Sequence, residues 1–319
     1  MKFKHDAMMN RRAFLRNTAL GTVTVLGWPQ RWSWAMEPAA SGATPLKIAY
    51  YTDIHAREEW GTPEAMTMAA ASIMAHRPDV VLCGGDMITD GYQSSAAMAA
   101  RRWTVYRALH DAVTPAPECI VGNHDLVGVE PADGSPAAAD PRADVRSAMG
   151  LSDTYRSFDR NGHHFVLLDS VQVTGGAEKY RGYIDDEQMA WLRADLNSVD
   201  PATPIILMTH MPLLTSFFQA TGGVETPVPA NRGVVNNRDV LSAFEGHRLL
   251  LVLQGHLHVN EMIRWRDTTF ITGGAVCGKW WRGDWHGTPE GYGILDVKPD
   301  RVDWTYHTYG WTARRPAGQ

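Results

Sequence analysis

Leu46-Lys47-Ile48-Ala49-Tyr50-Tyr51-Thr52-Asp53-Ile54-His55 is the stretch from which the architecture of this chain is read. Its first six residues are β-prone and apolar at almost every position, the pattern of a strand covered on both faces, and it ends on two side chains that bind metals. Runs of the same kind recur at 80–83, 119–121, 165–168, 205–208 and 249–253. Between them, 63–76, 94–112, 185–198 and 237–246 carry helical patterns, the first with Thr62 as N-cap and Pro63 in its first turn. Strand alternating with helix is the α/β class. Beyond Leu253 only strands follow, at 261–266, 268–272, 292–297 and 302–309; they are expected to form a second, more antiparallel sheet packed on the first. Residues 130–142 and 211–237 read as insertions, and connections that long in a compact domain are usually functional or disordered.

Ligands gather at the C-terminal ends of strands in α/β sheets, and metal-binding side chains stand at those ends here. Asp53 and His55 follow the first strand, Asp86 the second in Gly-Gly-Asp, and Asn123, His124 and Asp125 the third in Gly-Asn-His-Asp. His210 follows the strand at 205–208, and His256 and His258 follow the strand at 249–253 in Gly-His-Leu-His. In an extended segment, residues i and i+2 point the same way, so each closely spaced pair is expected to converge on one site. Lone histidines on predicted helices, His76, His110 and His247, are read as surface or helix-end residues. His163 and His164 stand at the wrong end of their strand, Asp169 reads as a turn residue, and Asp90 as a turn or supporting residue. For Asp125 two roles remain open, orienting the His124 imidazole or capping the segment that follows.

In this order, D-x-H, G-D, G-N-H-D, an isolated His and G-H-x-H resemble the pattern of the calcineurin-like metallophosphoesterases, from Leu46 to about Tyr309. The resemblance implies a layered α-β-β-α sandwich of two mixed sheets flanked by helices, in one domain over 46–310. It also implies two metal ions, the first held by Asp53, His55, Asp86 and His258, the second by Asp86, Asn123, His210 and His256, with Asp86 bridging. Mixed imidazole, carboxylate and amide donors suit Fe, Mn, Zn or Co. A metal-bridging hydroxide would attack the phosphorus of an ester while His124 serves as general acid. The implied reaction is hydrolysis of small or lipid-linked phosphate esters, by a phosphodiesterase or phosphomonoesterase. Rival readings are a nuclease or cyclic-nucleotide phosphodiesterase, and a non-catalytic metal-binding scaffold on the same fold. A loop rich in aromatic and charged residues, flanked by Gly278 and Gly287, looks like the substrate side of exported bacterial members of the family. Lys279 and Arg282 are its candidate phosphate contacts, with Trp280 and Trp281 flanking an organic leaving group.

The 319 residues carry 30 Lys+Arg against 35 Asp+Glu, a balance that gives no basic field for long nucleic acid. Residues 1–35 read differently from the rest. Basic residues including the Arg11-Arg12 pair precede an uncharged stretch at 17–30, too short and too rich in Thr and Gly to span a bilayer. Asn10-Arg11-Arg12-Ala13-Phe14-Leu15-Arg16 resembles a twin-arginine signal, and Ser33-Trp34-Ala35 offers a cleavage site. The expectation is recognition by the twin-arginine export machinery, cleavage after Ala35, a linker at 36–45 and a periplasmic or extracellular mature protein without a stable membrane span. Loss of Lys2, Lys4, Arg11, Arg12, Arg16 and Arg31 together with Asp6 would shift the net charge from −5 to −10. Cys83 and Cys119 sit in apolar runs and read as buried thiols. Residues 311–319 read as a tail.

Overall fold

The structure, a computed structural model, describes residues 30–35, 42–175, 178–298 and 301–314. In chain order the strands are β1 Gln30–Ala35, β2 Leu46–Tyr51, β3 Val80–Cys83, β4 Glu118–Cys119, β5 Arg156–Arg160, β6 His163–Leu168, β7 Val171–Val173, β8 Tyr180–Gly182, β9 Pro204–Thr209, β10 Arg248–Gln254, β11 Glu261–Trp265, β12 Thr268–Thr272, β13 Gly291–Lys298 and β14 Arg301–Thr308. The helices are α1 Thr62–Met74, α2 Ala96–His110, α3 Ala143–Met149, α4 Asp186–Leu196, α5 Phe217–Gly222 and α6 Asn237–Ala243.

Two six-stranded mixed sheets form the body, in the orders β1-β14-β13-β2-β3-β4 and β11-β12-β10-β9-β6-β5. In the first, β2, β3 and β4 run parallel; in the second, β6, β9, β10 and β12 do. Strand alternation explains how they stack. Leu46, Ile48 and Tyr50 of β2 enter a core shared with Phe165, Leu167, Ile206, Met208 and Leu253 of the other sheet. Ala49 and Tyr51, the intervening residues, join Val81 and Cys83 in a second cluster with Met66 and Ile73 of α1 and Tyr106 of α2. Each large apolar side chain buried this way contributes roughly 1.5–3 kcal/mol, and both faces of β2 supply it. The layered sandwich expected from the resemblance is therefore the observed architecture.

The strands after Leu253 do not form a sheet of their own. Antiparallel β11 and β12 extend the second sheet beside β10, whereas β13 and β14 cross to the first sheet, β13 pairing antiparallel with β2. In that position Leu295, Val297, Val302 and Trp304 are buried in the inter-sheet core. Thr62 is likewise not the N-cap of α1. Gly61, left-handed at φ 75°, holds that position, and the Thr62 hydroxyl instead donates to the carbonyl of Arg57. Elements with little apolar periodicity, among them β5 and the short helices α3 and α5, have no counterpart in the sequence reading.

Most of the predicted presequence, 1–29, and much of the linker, 36–41, lie outside the described residues. Gln30–Ala35, the end of that presequence, pairs antiparallel with β14 and forms the outer strand of the first sheet. Among the described residues no helix is long and apolar enough to cross a membrane.

Candidate metal centre

Asp53, His55, Asp86, Asn123, His210, His256 and His258 come together where the ends of β2, β3 and β4 face those of β9 and β10, and all seven are buried. Backbone bonds lace the loops crosswise. The amides of Ile54 and His55 both donate to the Asp86 carbonyl at 2.9 Å, and that of Gly255 donates to the His210 carbonyl at 2.8 Å. Strand alternation is not what makes the pairs converge. Asp53 and His55 lie at φ 54° and 46°, His256 and His258 at 70° and 59°, and Asp86 at 53°, all left-handed rather than extended. Such backbones cost of order 1–3 kcal/mol each and persist where the surroundings over-determine them. The glycines of the motifs have a narrower purpose. A Cβ at Gly122 would collide with the Asp86 carboxylate, and one at Gly255 with the Thr52 hydroxyl.

The ligand atoms form two groups around one oxygen. Asp86 Oδ2 lies 3.5 Å from His55 Nε2 and 3.2 Å from His210 Nε2. On the first side, His258 Nε2 is 3.1 Å from His55 Nε2 and 3.3 Å from Asp53 Oδ1. On the second, Asn123 Oδ1 is 3.2 Å from His210 Nε2, and His256 lies within reach of both Asp86 and His210. Backbone carbonyls set the ring orientations. His210 Nδ1 donates to Gly84 O at 2.8 Å, His258 Nδ1 to Gly278 O at 2.7 Å and His256 Nε2 to Asn231 O at 2.9 Å. Each bond ties up one ring nitrogen and leaves the other toward the cluster, the arrangement by which metal-binding histidines are held.

Charge in the cluster is divided sharply. Burial pushes Asp53 up, but the adjacent His258 outweighs it and holds the carboxyl at about 2; Asp86, buried likewise, is held well below its usual range by His210 and His124. Burial alone would discharge His210, yet Asp86 beside it brings the imidazole to about 9, while burial and the nearby His210 lower His256 to about 3. His258, also opposed by burial, is raised by Cys277 and Asp53. The protein thus gathers two carboxylates against two imidazolium ions, so that cations entering here would displace protons from His210 and His258. Buried mixed N and O donors around a shared carboxylate fit a pair of borderline cations.

His124 stands next to the cluster, its ring 4.7 Å from that of His55. The Asp90 amide donates to His124 Nδ1 at 3.1 Å, so the neutral ring carries its proton on Nε2. Burial lowers its basicity further. Asp125 plays neither role left open for it by the sequence. Its carboxylate accepts from the amides of Met87 and Gly122, at 2.7 and 2.9 Å, and so fastens the loop after β3 to the loop after β4. Asp169 is tied to Arg142 at 2.6 Å, and His164 sits between Asp159 and Asp195, at 2.8 and 2.9 Å.

The loop at 278–287 is arranged differently from its expected role. Trp280, 37% exposed, lies over His55 with ring centroids 4.1 Å apart and also borders His124 and His258. Trp281 is only 1% exposed and points inward, its indole N–H donating to His55 O at 3.0 Å, so it braces the ligand backbone and does not flank a substrate. Arg282 turns to Trp60, its guanidinium 5.5 Å from that ring, and Lys279 lies 5.0 Å from the ring of Trp285; neither lines the cleft beside the cluster. That cleft holds about 330 Å³ and is lined by Trp280, Trp285, Phe217, Phe218, Leu257 and Arg232, with His256 and His258 beneath. Arg232 Nη1 lies 3.5 Å from His256 Nε2. Nothing in its immediate sequence marks it, although the length of the 211–237 connection does. Cys277, whose Sγ is 3.8 Å from His258 Nδ1, belongs to a buried group with His55 and His258 and was also not singled out by sequence.

Residues 46–260 match the family model for calcineurin-like phosphoesterase. A dimetal phosphatase from Danio rerio is similar in structure, with a TM-score of 0.60 at 16% identity, over 86% of this chain and 97% of that one. GAP50, described as the anchor in the inner membrane complex of Plasmodium, is similar with a TM-score of 0.53 at 12% identity, over 84% of this chain and 85% of that one. At such identities the likeness concerns the fold. No protein of curated function matches the chain in sequence.

Proposed function

The chain belongs to the calcineurin-like phosphoesterase family, and from that premise we propose that it is a dinuclear metal-dependent hydrolase of small or lipid-linked phosphate esters. Asp53, His55, Asp86 and His258 would hold one cation, and Asp86, Asn123, His210 and His256 the other. The observation that carries this reading is Asp86 Oδ2 facing His55 on one side and His210 on the other. Two such cations, of Fe, Mn, Zn or Co type, supply charge neutralisation for the non-bridging phosphoryl oxygens and lower the pKa of water. The protein's own part is positioning. Carbonyls of Gly84, Gly278 and Asn231 lock three imidazoles, and Trp281 pins the His55 backbone.

His124 supplies the donor on the leaving-group side. With Nδ1 accepting from Asp90, its Nε2 proton is directed to a leaving oxygen; full transfer as an imidazolium would require giving up the Asp90 bond. The test is metal analysis of the purified protein with rates on aryl and bis-aryl phosphates. Bound transition metal with ester turnover is expected. Metal-replete protein that turns over neither ester would instead favour a scaffold, the kind of role that the description of GAP50 names for that protein.

The basic-then-uncharged stretch at the N-terminus supports export through the twin-arginine machinery to the periplasm or beyond. Cleavage after Ala35 would remove β1 and leave β14 as the outer strand. A mature N-terminus at Met36, found by mass spectrometry of the exported protein, is the expected outcome; an intact Gln30–Ala35 segment would rule that cut out.

A further inference from the structure

The cleft beside the metal centre joins one cation to an aromatic wall, and we propose that it takes the retained, apolar ester group of a phosphodiester monoanion whose phosphate is read by Arg232. This rests on the phosphoesterase reading and narrows it. Its lining residues include Arg232 and no carboxylate, so the complementary ligand is an anion. The rest of the wall is apolar or aromatic: Phe217 and Phe218 from α5, Leu257 between the paired histidines, and Trp280 and Trp285 from the 278–287 loop.

The wall is fixed in place. Glu261 accepts from the Thr215 hydroxyl at 2.8 Å and from the Ser216 amide and hydroxyl at 2.9 and 2.6 Å, clamping the base of α5. Phe217 then meets His286 with ring centroids 5.0 Å apart, and His286 meets Trp285 at 4.5 Å, linking the two loops edge to face. None of the residues of α5 is buried, so packing in the core does not account for two adjacent phenylalanines there.

Two ester substituents, not one, follow from where His124 lies. It does not line the cleft, yet its ring is 5.0 Å from that of Trp280, which does. A leaving group served by His124 therefore occupies one side of Trp280, and the aromatic cleft offers its space to a second group on the same phosphorus. A monoester has no second group to place there. The phosphate carries a single negative charge in a diester, and Arg232 beside His256 supplies a matching guanidinium.

The test is calorimetric binding to the metal-loaded full chain of two phosphinate monoanions that mimic a diester and have P–C bonds in place of both ester bonds, benzyl(methyl)phosphinate and dimethylphosphinate. The benzyl compound is expected to bind about tenfold tighter, the scale of one buried ring. Phe217→Ala and Trp285→Ala should each abolish most of that preference. Arg232→Met should weaken both phosphinates alike, and Trp265→Ala, exposed on β11, should leave the preference intact. Equal binding of the two phosphinates by the unaltered protein, or a preference that survives both aromatic substitutions, would overturn the proposal whether or not any ester is hydrolysed. Absence of hydrolysis with the preference intact would count against the catalytic reading alone.

Discussion

The two ligand clusters that share Asp86 are made of like residues and set in unlike surroundings. The first, around His55, Asp53 and His258, lies under Trp280 and next to the Cys277 thiol. The second, around His210, Asn123 and His256, has Arg232 at its edge and Tyr180 facing His256 with ring centroids 6.4 Å apart. The ligands come from strand ends, where left-handed turns and cross-loop backbone bonds dictate their positions. The surroundings come from β8, the long connection after β9 and the loop before β13. Under the proposed function, the first part would supply the chemistry and the second the selectivity.

Removing one cluster at a time breaks the comparison most severely. His258→Ala and His210→Ala should each cost one of the two cations and on the order of 10³-fold in kcat, the scale of a lost Lewis acid. Metal content measured by mass spectrometry checks this, and a variant that keeps both metals would show that its histidine is not a ligand. His124 is assigned to neither ligand set, although its imidazole lies within reach of His55 and Asp86. His124→Ala should retain both metals while kcat falls by roughly 10²-fold; full activity, or metal loss, would contradict the role given to it.

Proton competition sharpens the contrast within the second cluster. In the metal-free protein His210, raised to about 9, carries a proton at neutral pH, whereas His256, lowered to about 3, does not. A cation binding at His210 must expel that proton, so apparent metal affinity should rise from pH 6 to pH 8 and level off once His210 titrates near 9. Chelator competition across that range measures it, and a flat profile would be inconsistent. The smallest effect is expected at Trp281. Trp281→Phe keeps a buried ring but loses the bond to the His55 carbonyl, for a loss of about 1 kcal/mol in unfolding free energy by denaturant titration.

What could be read in advance divides along the same line. That Asp53, His55, Asp86, Asn123, His124, His210, His256 and His258 come together is legible because each motif follows a buried strand, and a buried strand has a strong apolar signature. The strand positions survived for the same reason, but the sheet to which β11 to β14 belong did not. Antiparallel pairing depends on which edge is open in three dimensions, and local pattern carries no trace of that. Trp281 lies elsewhere than expected because a loop dense in aromatic residues does not say which side chains turn inward; the left-handed Trp280 and Trp281 send one ring over the imidazoles and the other into the core. Arg232 was missed because a lone arginine in a long connection looks like any solvated cation until the fold lays it beside His256.

Asp86 is the point at which the account can be tested most directly. Asp86→Asn keeps the size of the side chain and removes the charge that both clusters share. Metal analysis after loading should fall from two transition-metal ions per folded chain to fewer than one, with ester hydrolysis lost, while circular dichroism remains that of the unaltered protein. A folded Asp86→Asn protein that still binds two ions would contradict the shared-carboxylate centre outright.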